Sequence, residues 1–427
     1  MTHSIHDGGS RLAKSWVGYV SAGVMLAVIS LAVSPRAAIS AEKEKGQQIS
    51  RVIAKEMTGA QKALQASQWA EALKDLDAAE TKSGLTAFDK KTIYYFKGFA
   101  NIKLGKLKEA QAAFEQSLAT GAASAEDKTS ITRTLFGIAA STNQFQKTIE
   151  YGKTMADAGT ATPNDLAIIA QSYYQLKDCK NSGVWVDKAV SASRKAGEAP
   201  KENLYLFKLQ CASDAGDTPA MAASLNDLIR LTNKSTYWNT LLRIERQDER
   251  DDHNLLMIYR IMYDTASMTA GSDYIEMAQL LGDAALPGEA QTVLEKAFAG
   301  GLITDAQKER TTRLLNSFKT RAEADKKGQA QFEVEATKNP AGELDVKLGE
   351  VYYGSGDYQN AVNSINRGLQ KGQIKHLDEA YVYLGRSQVA LKNTAEAKKA
   401  FAALKTVPNI SPRVLKLWSL YGETVGR

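Results

Sequence analysis

Residues able to do chemistry are few in this chain, and their spacing limits what they can do. Its 427 residues include four histidines and two cysteines. His3 and His6 fall in an N-terminal leader, which leaves His253 and His376 far apart along the sequence. No HExxH, GxSxG, GxGxxG or GxxxxGK[ST] run is present, so spacing assembles no zinc hydrolase, acyl-transfer nucleophile or phosphate cradle. Two distant histidines and two distant cysteines make no metal site on spacing alone. Acidic residues occur throughout, but none is singled out as an acid–base pair. Cys179 and Cys211 are not a C-x-x-C pair, which argues against redox catalysis. The expectation is a non-enzymatic chain with no catalytic residues, no metal and no cofactor.

The elements that would position any site are helices. Only 8 prolines occur, Ala, Lys, Glu, Gln and Leu are abundant, and no alternating β-branched runs are bounded by turns. Residues 1–41 read as a secretory signal peptide: Arg11 and Lys14 lead an apolar stretch from Trp16 to Val33, and small residues follow at Ala37, Ala38, Ser40 and Ala41. The stretch nearly reaches the length of a membrane span, so an uncleaved inner-membrane anchor is the alternative. Either way the folded part is expected in the periplasm, touching membrane only through this segment if it is retained. A net charge of +6, scattered along the chain, argues for no nucleic-acid partner.

A repeat organises the rest. Gly349, Tyr352, Gly356, Tyr358, Ala361 and Ile365 are echoed by Gly385, Gln388, Lys392, Thr394, Ala397 and Phe401. Further upstream, Lys91–Leu104 and Leu107–Leu118 read as one helix pair around Gly105, with Gly98 and Ala110 at the crossing and Phe114 one turn on. The pattern resembles the tetratricopeptide repeat family. Its small residue in the first helix matches Gly98, Ala170, Ala278, Gly349 and Gly385. Its small residue in the second matches Ala72, Ala110, Ser182, Ala290, Ala361 and Ala397, and the large residue four positions on matches Leu76, Phe114, Val186, Leu294, Ile365 and Phe401. The resemblance implies an all-α, right-handed solenoid of about ten helix pairs, with a capping helix over Ser411–Gly426. Units inferred around residues 256 and 325 lack the small residue, and Thr304–Lys338 could be two long helices. Asn339-Pro340-Ala341-Gly342 is the expected internal boundary, giving an array over 42–340 and a terminal repeat pair with its cap over 341–427.

Within that frame, Cys179 starts the second helix of the fourth pair and Cys211 lies late in the first helix of the fifth. A turn near Gly197 sets residue 179 opposite about 213, so a disulfide is expected; the alternative is two small buried thiols. Tyr95, Phe99, Tyr174 and Tyr353, with Gln171 and Gln279, fall where the family's first helices line a concave groove, which would suit an extended peptide or partner helix. The family's carboxylate clamp needs Lys and Asn where this chain has Tyr95 and Phe99, or Ala167 and Gln171, so that mode is not implied. Arg243–Asp252 mixes both charges and reads as a solvated helix end or loop.

The segment from Tyr237 through Gly301 (YWNTLL, LLMIYRIMYDTASM, DYIEMAQLLGDAALPGEAQTVLEKAFAGG) and the run from Glu343 (ELDVKLGEVYYGSGDYQNAV) are similar to a proteobacterial group of periplasmic repeat proteins associated with TonB–ExbB–ExbD energy transduction. That resemblance implies a scaffold binding other envelope proteins or peptides, TonB, ExbB or ExbD among them. An assembly factor for exopolysaccharide export or cell-wall synthesis is the alternative.

Overall fold

The computed structural model describes residues 48–427, and the leader expected over 1–41 lies outside them. Two compact units divide at Gly216. The first opens with a 3-10 turn, Arg51–Ile53, followed by α1 (Ala54–Gln65), α2 (Trp69–Glu80), α3 (Ala87–Lys103), α4 (Leu107–Ala119), α5 (Ala125–Ser141), α6 (Phe145–Asp157), α7 (Pro163–Gln175), α8 (Cys179–Lys195) and α9 (Glu202–Asp214). The second comprises α10 (Thr218–Thr232), α11 (Ser235–Gln247), α12 (Asp252–Asp264), α13 (Gly271–Asp283), α14 (Pro287–Ala299), α15 (Asp305–Lys338), α16 (Glu343–Gly354), α17 (Tyr358–Lys371), α18 (Leu377–Ala390), α19 (Thr394–Ala403) and α20 (Pro412–Thr424). No strand occurs among the described residues. The fold is an all-α, tetratricopeptide-like solenoid.

Each hairpin of the first unit is set by its ends. Thr86, Ser124 and Thr162 begin α3, α5 and α7 with the same capping box, in which an Asp three residues on returns the hydrogen bond. Those aspartates also tie neighbouring repeats together. Asp89 accepts from the Ser50 N–H at 2.9 Å, Asp127 pairs with Lys91 at 2.9 Å, and Asp165 pairs with Arg133 at 3.0 Å. One left-handed residue closes the turn between paired helices: Gly105 takes it at φ +73°, and Asn143 and Lys177 take the same place in the next two pairs.

Inside the hairpins, small residues on one helix meet large ones on the other. A Cβ on Gly98 would lie 2.8 Å from the Phe114 ring; on Gly349, 2.4 Å from Ile365; on Gly385, 2.4 Å from Phe401. Ala110, Ala278, Ala290, Ala361 and Ala397 are all fully buried. Close axis-to-axis packing leaves no room for more than hydrogen or methyl at these crossings.

The second unit departs from a plain stack. Around residue 325, where the spacing leaves room for a helix pair, a single 34-residue helix, α15, runs instead. Its C-terminal turns pack on the far side of 339–342: Glu333 pairs with Arg367 at 2.8 Å, and Lys371 donates to the Ala336 carbonyl at 2.7 Å. The expected boundary at 340 therefore lies inside one unit, and the chain divides at 216 instead.

The last helix, α20, covers α19 by stacking Trp418 on Phe401, with centroids 5.3 Å apart. It also returns to the start of its unit. Tyr421 meets Trp238 of α11 edge-on at 6.3 Å, Glu423 pairs with Arg230 of α10 at 2.7 Å, and the Thr424 carbonyl accepts from Asn233. The second unit closes on itself.

Candidate partner-binding surfaces

The aromatic residues expected in an open groove are largely taken up by packing. Tyr95 and Phe99 are buried, at 8 % and 3 % exposed, and so face the interior instead of a groove. Tyr95 sits edge-on to Phe96 and Phe114, and Phe99 is edge-on to Trp69. The cause is local: both lie on the side of α3 that the α2 and α4 helices cover. Tyr174 is half-buried and stacks on Phe207 of α9 at 5.1 Å, while Gln171 beside it is also half-buried. Gln279 lines a shallow recess with Glu276, Leu314 and Arg321. Tyr353 is wedged between Tyr358 and Tyr383, with the Arg386 guanidinium 4.7 Å from its ring.

Cys179 and Cys211 are joined, linking the start of α8 to the late turns of α9 across 32 residues of sequence.

The densest concentration of ionisable groups lies within the second unit, where α12, α14, α16 and α18 converge. Arg386 grips both oxygens of Asp264 at 2.8 and 3.0 Å and Glu289 at 2.5 Å. Arg260, fully buried, donates to the Tyr383 hydroxyl at 2.6 Å, and Tyr383 donates in turn to Glu289 at 2.5 Å. At the rim, His253 Nε2 lies 2.6 Å from Asp378, and its ring is 5.6 Å from that of His376. The two histidines that the spacing kept apart are brought together by closure of the unit. No group of three or more potential ligands among the described residues could hold a metal ion.

The charges in this cluster follow from their neighbours. Burial opposes ionisation of Glu289, but Arg386 and Arg260 overcome it and hold the carboxyl below its usual range. Glu350 and Glu379 share Lys347, at 3.0 and 3.3 Å. Glu379 also faces Arg260 and is held low despite burial, whereas burial and the Glu379 charge push Glu350 up to about 8. The Asp378 hydrogen bond raises His253 above its ordinary value.

Glu350 also reaches the floor of a cleft beneath the middle of α15. Two contiguous cavities, about 340 and 400 Å³, share Ala285, Leu286, Asp325, Glu350 and Val351. Their volumes are those of small ligand sites or of a few bound residues.

Two signals in the sequence mark these features. Arg260 is a lone charge inside the apolar run LLMIYRIMY, and Glu379, Tyr383 and Arg386 recur at helical spacing. The Thr/Ser-x-x-Asp boxes at 86, 124 and 162 repeat at a constant interval.

The hairpin geometry defines a class, the helical-repeat solenoids. Residues 92–119, within α3 and α4, match the family model described as tetratricopeptide repeat. Residues 92–119 thus match one such repeat, within a tetratricopeptide-like fold of the kind that typically serves as a scaffold for protein–protein interaction. Solved structures similar to it include a tetratricopeptide repeat protein from Parabacteroides merdae (13% identity, 63% of this chain and 99% of that one, TM-score 0.31). Naa15/Naa10 bound to HypK-THB is also similar (15% identity, 84% and 59%, TM-score 0.39), as is the P58(IPK) TPR domain (12% identity, 88% and 99%, TM-score 0.24). No curated protein matches the sequence.

Proposed function

We propose that this chain is a non-enzymatic periplasmic scaffold that couples a TonB–ExbB–ExbD energy-transducing system to its client at the outer membrane. The observation that carries the scaffold reading is the repeated helix hairpin, which displays extended surface without requiring a reaction centre. The cystine between Cys179 and Cys211 supports an oxidising compartment. The TonB association draws its support from the resemblance carried by Tyr237–Gly301 and the run from Glu343.

Photo-crosslinking residues placed in cells at Gln171, Tyr174 and Gln279, all partly exposed, test this reading. Capture of TonB, ExbB or ExbD is the expected result. Capture of export or cell-wall components alone, or capture of nothing at all three positions, overturns it.

A further inference from the structure

The helix α9 is the one helix of the first unit without a hairpin partner inside that unit. The helices α1 to α8 form four hairpins, and α9 follows them as a lone layer packed on α7 and α8. It buries Leu204, Tyr205 and Phe207, while Leu206 and Leu209 stay half-buried. A layer that has neighbours of its own unit on one side only opens more readily than the layers enclosed within the stack.

The polar ties that hold the earlier layers together stop short of α9. The capping-box aspartates of α5 and α7 each meet a cation from the layer before: Lys91 reaches Asp127 at 2.9 Å and Arg133 reaches Asp165 at 3.0 Å. The start of α9 carries no capping box and no side-chain cap, and its Lys201 reaches back, in solvent, to the neutral Asn164 side chain at 2.7 Å. Lys208 pairs with Asp187, whose side chain is mostly exposed, and an ion pair so placed holds little. Phe207 stacks on Tyr174 at 5.1 Å. At this layer the chain places its only two cysteines, joined to each other and both half-buried, so that the bond lies within reach of solvent. The covalent tie stands where the ladder of ion pairs ends.

We propose that the Cys179–Cys211 cystine is a redox-operated clasp, which keeps α9 seated over Tyr174 while oxidised and frees it when a dithiol reductant opens the bond. One thiolate of the reductant attacks a cystine sulfur and displaces the other as a thiolate, which takes up a proton. The reductant's second thiolate then resolves the mixed disulfide. Two electrons pass to Cys179 and Cys211, which end as thiols, and the reductant ends as a disulfide. The size of the effect comes from the chain. With the bond closed, a detached α9 would leave about 15 residues (197–211) pinned at both ends, and lifting that constraint favours detachment by roughly 100-fold. Release uncovers the Tyr174 ring, one of the positions at which partner capture is expected. The inference therefore rests on the scaffold reading and adds its regulation.

The test is hydrogen exchange of the full chain, oxidised and after reduction under native conditions with millimolar dithiothreitol. Peptides covering Leu204–Ala212 are expected to exchange roughly 100-fold faster once reduced, while those of α3 and α4 keep their rates. Trypsin should cut after Lys208, in the middle of α9, sooner by a similar factor. The Cys179→Ser/Cys211→Ser variant should match the reduced protein with or without dithiothreitol. Unchanged exchange of α9 on reduction, a cystine that resists dithiothreitol until the protein unfolds, or loss of protection across the whole first unit overturns the proposal. Its failure is distinct from failure of the scaffold reading: partners captured at Tyr174 equally by the parent and the double variant would remove the clasp alone.

Discussion

Replacing Arg386 with Met should destabilise the second unit more than almost any other single change. The side chain is 1 % exposed and makes three charge-assisted hydrogen bonds, two to Asp264 and one to Glu289. Methionine fills much of the same volume, so the main effect is electrostatic. Two carboxylates remain in the interior, with Arg260 4.0 Å from Glu289 as the residual counterion. Breaking a buried pair from one side costs about 3–5 kcal/mol, because the surviving charge is left uncompensated. For a unit of this size that corresponds to a fall in melting temperature of roughly 6–20 °C. Arg413→Ala is the control: its ion pairs with Glu245 and Glu249 are 3.4 and 3.5 Å long at a third-exposed side chain, beside one 3.0 Å hydrogen bond to the Glu245 carbonyl, and about 1 kcal/mol should be lost. Urea unfolding followed by tryptophan fluorescence reads both, with the first unit's transition as an internal reference. In the Met variant the orphaned carboxylates rise above their unfolded values. The stability they permit is then present at low pH and lost as pH rises, so the gap to the parent should narrow on acidification. A Met variant within 1 kcal/mol of the parent, or a gap indifferent to pH, would show that the cluster is solvated and the reasoning wrong.

Two further outcomes follow from the same structure. Reducing the Cys179–Cys211 bond should lower the stability of the first unit by about 3.7 kcal/mol, from loop closure over 32 residues; labelling denatured, unreduced protein should find no free thiol, and two thiols would sink the idea. His253→Asn should cost most where His253 is protonated and Asp378 ionised. His253 is raised above 6.5 and Asp378, despite burial, is held below 3.8 by the imidazole, so the contribution is fully present below pH 6.5 and lost as pH rises through the raised value; its carboxylate share is lost as pH falls below 3.8. Glu379, Arg260 and His376 also face this ring, and a stability difference that stays constant from pH 5 to 9 would assign the contact no electrostatic role.

Local rules made most of the fold legible. Small residues at 98, 349 and 385, each followed by a large partner at 114, 365 and 401, are steric statements that need only the neighbouring helix to be read. The antiparallel register that sets Cys179 opposite Cys211 is equally local. What escaped was long-range. His253 and His376 meet because α20 and α18 return to α10–α12, and no pattern within one repeat announces that return. The boundary at 339–342 was misplaced because a proline and a glycine break a helix without separating what packs on either side. Tyr95 and Phe99 were placed on a surface because family position says which helix face a residue occupies, not how far neighbouring helices cover it. The cleft beneath α15 had no signature at all, since it arises from two glycines that let α14 and α16 touch.

The return of α20 to the beginning of its unit changes how that unit comes apart. In an open array each repeat answers only to its neighbours, so terminal helices fray first and opening proceeds inward. Here the final helix and the first ones are mutually dependent through Trp238, Tyr421, Arg230 and Glu423, and neither edge can melt alone. The contacts concerned join residues nearly two hundred positions apart, which raises the contact order and slows assembly relative to a stack of local hairpins. The second unit therefore behaves as a single cooperative body, late to form and sharp to unfold, built from parts that elsewhere unzip one at a time.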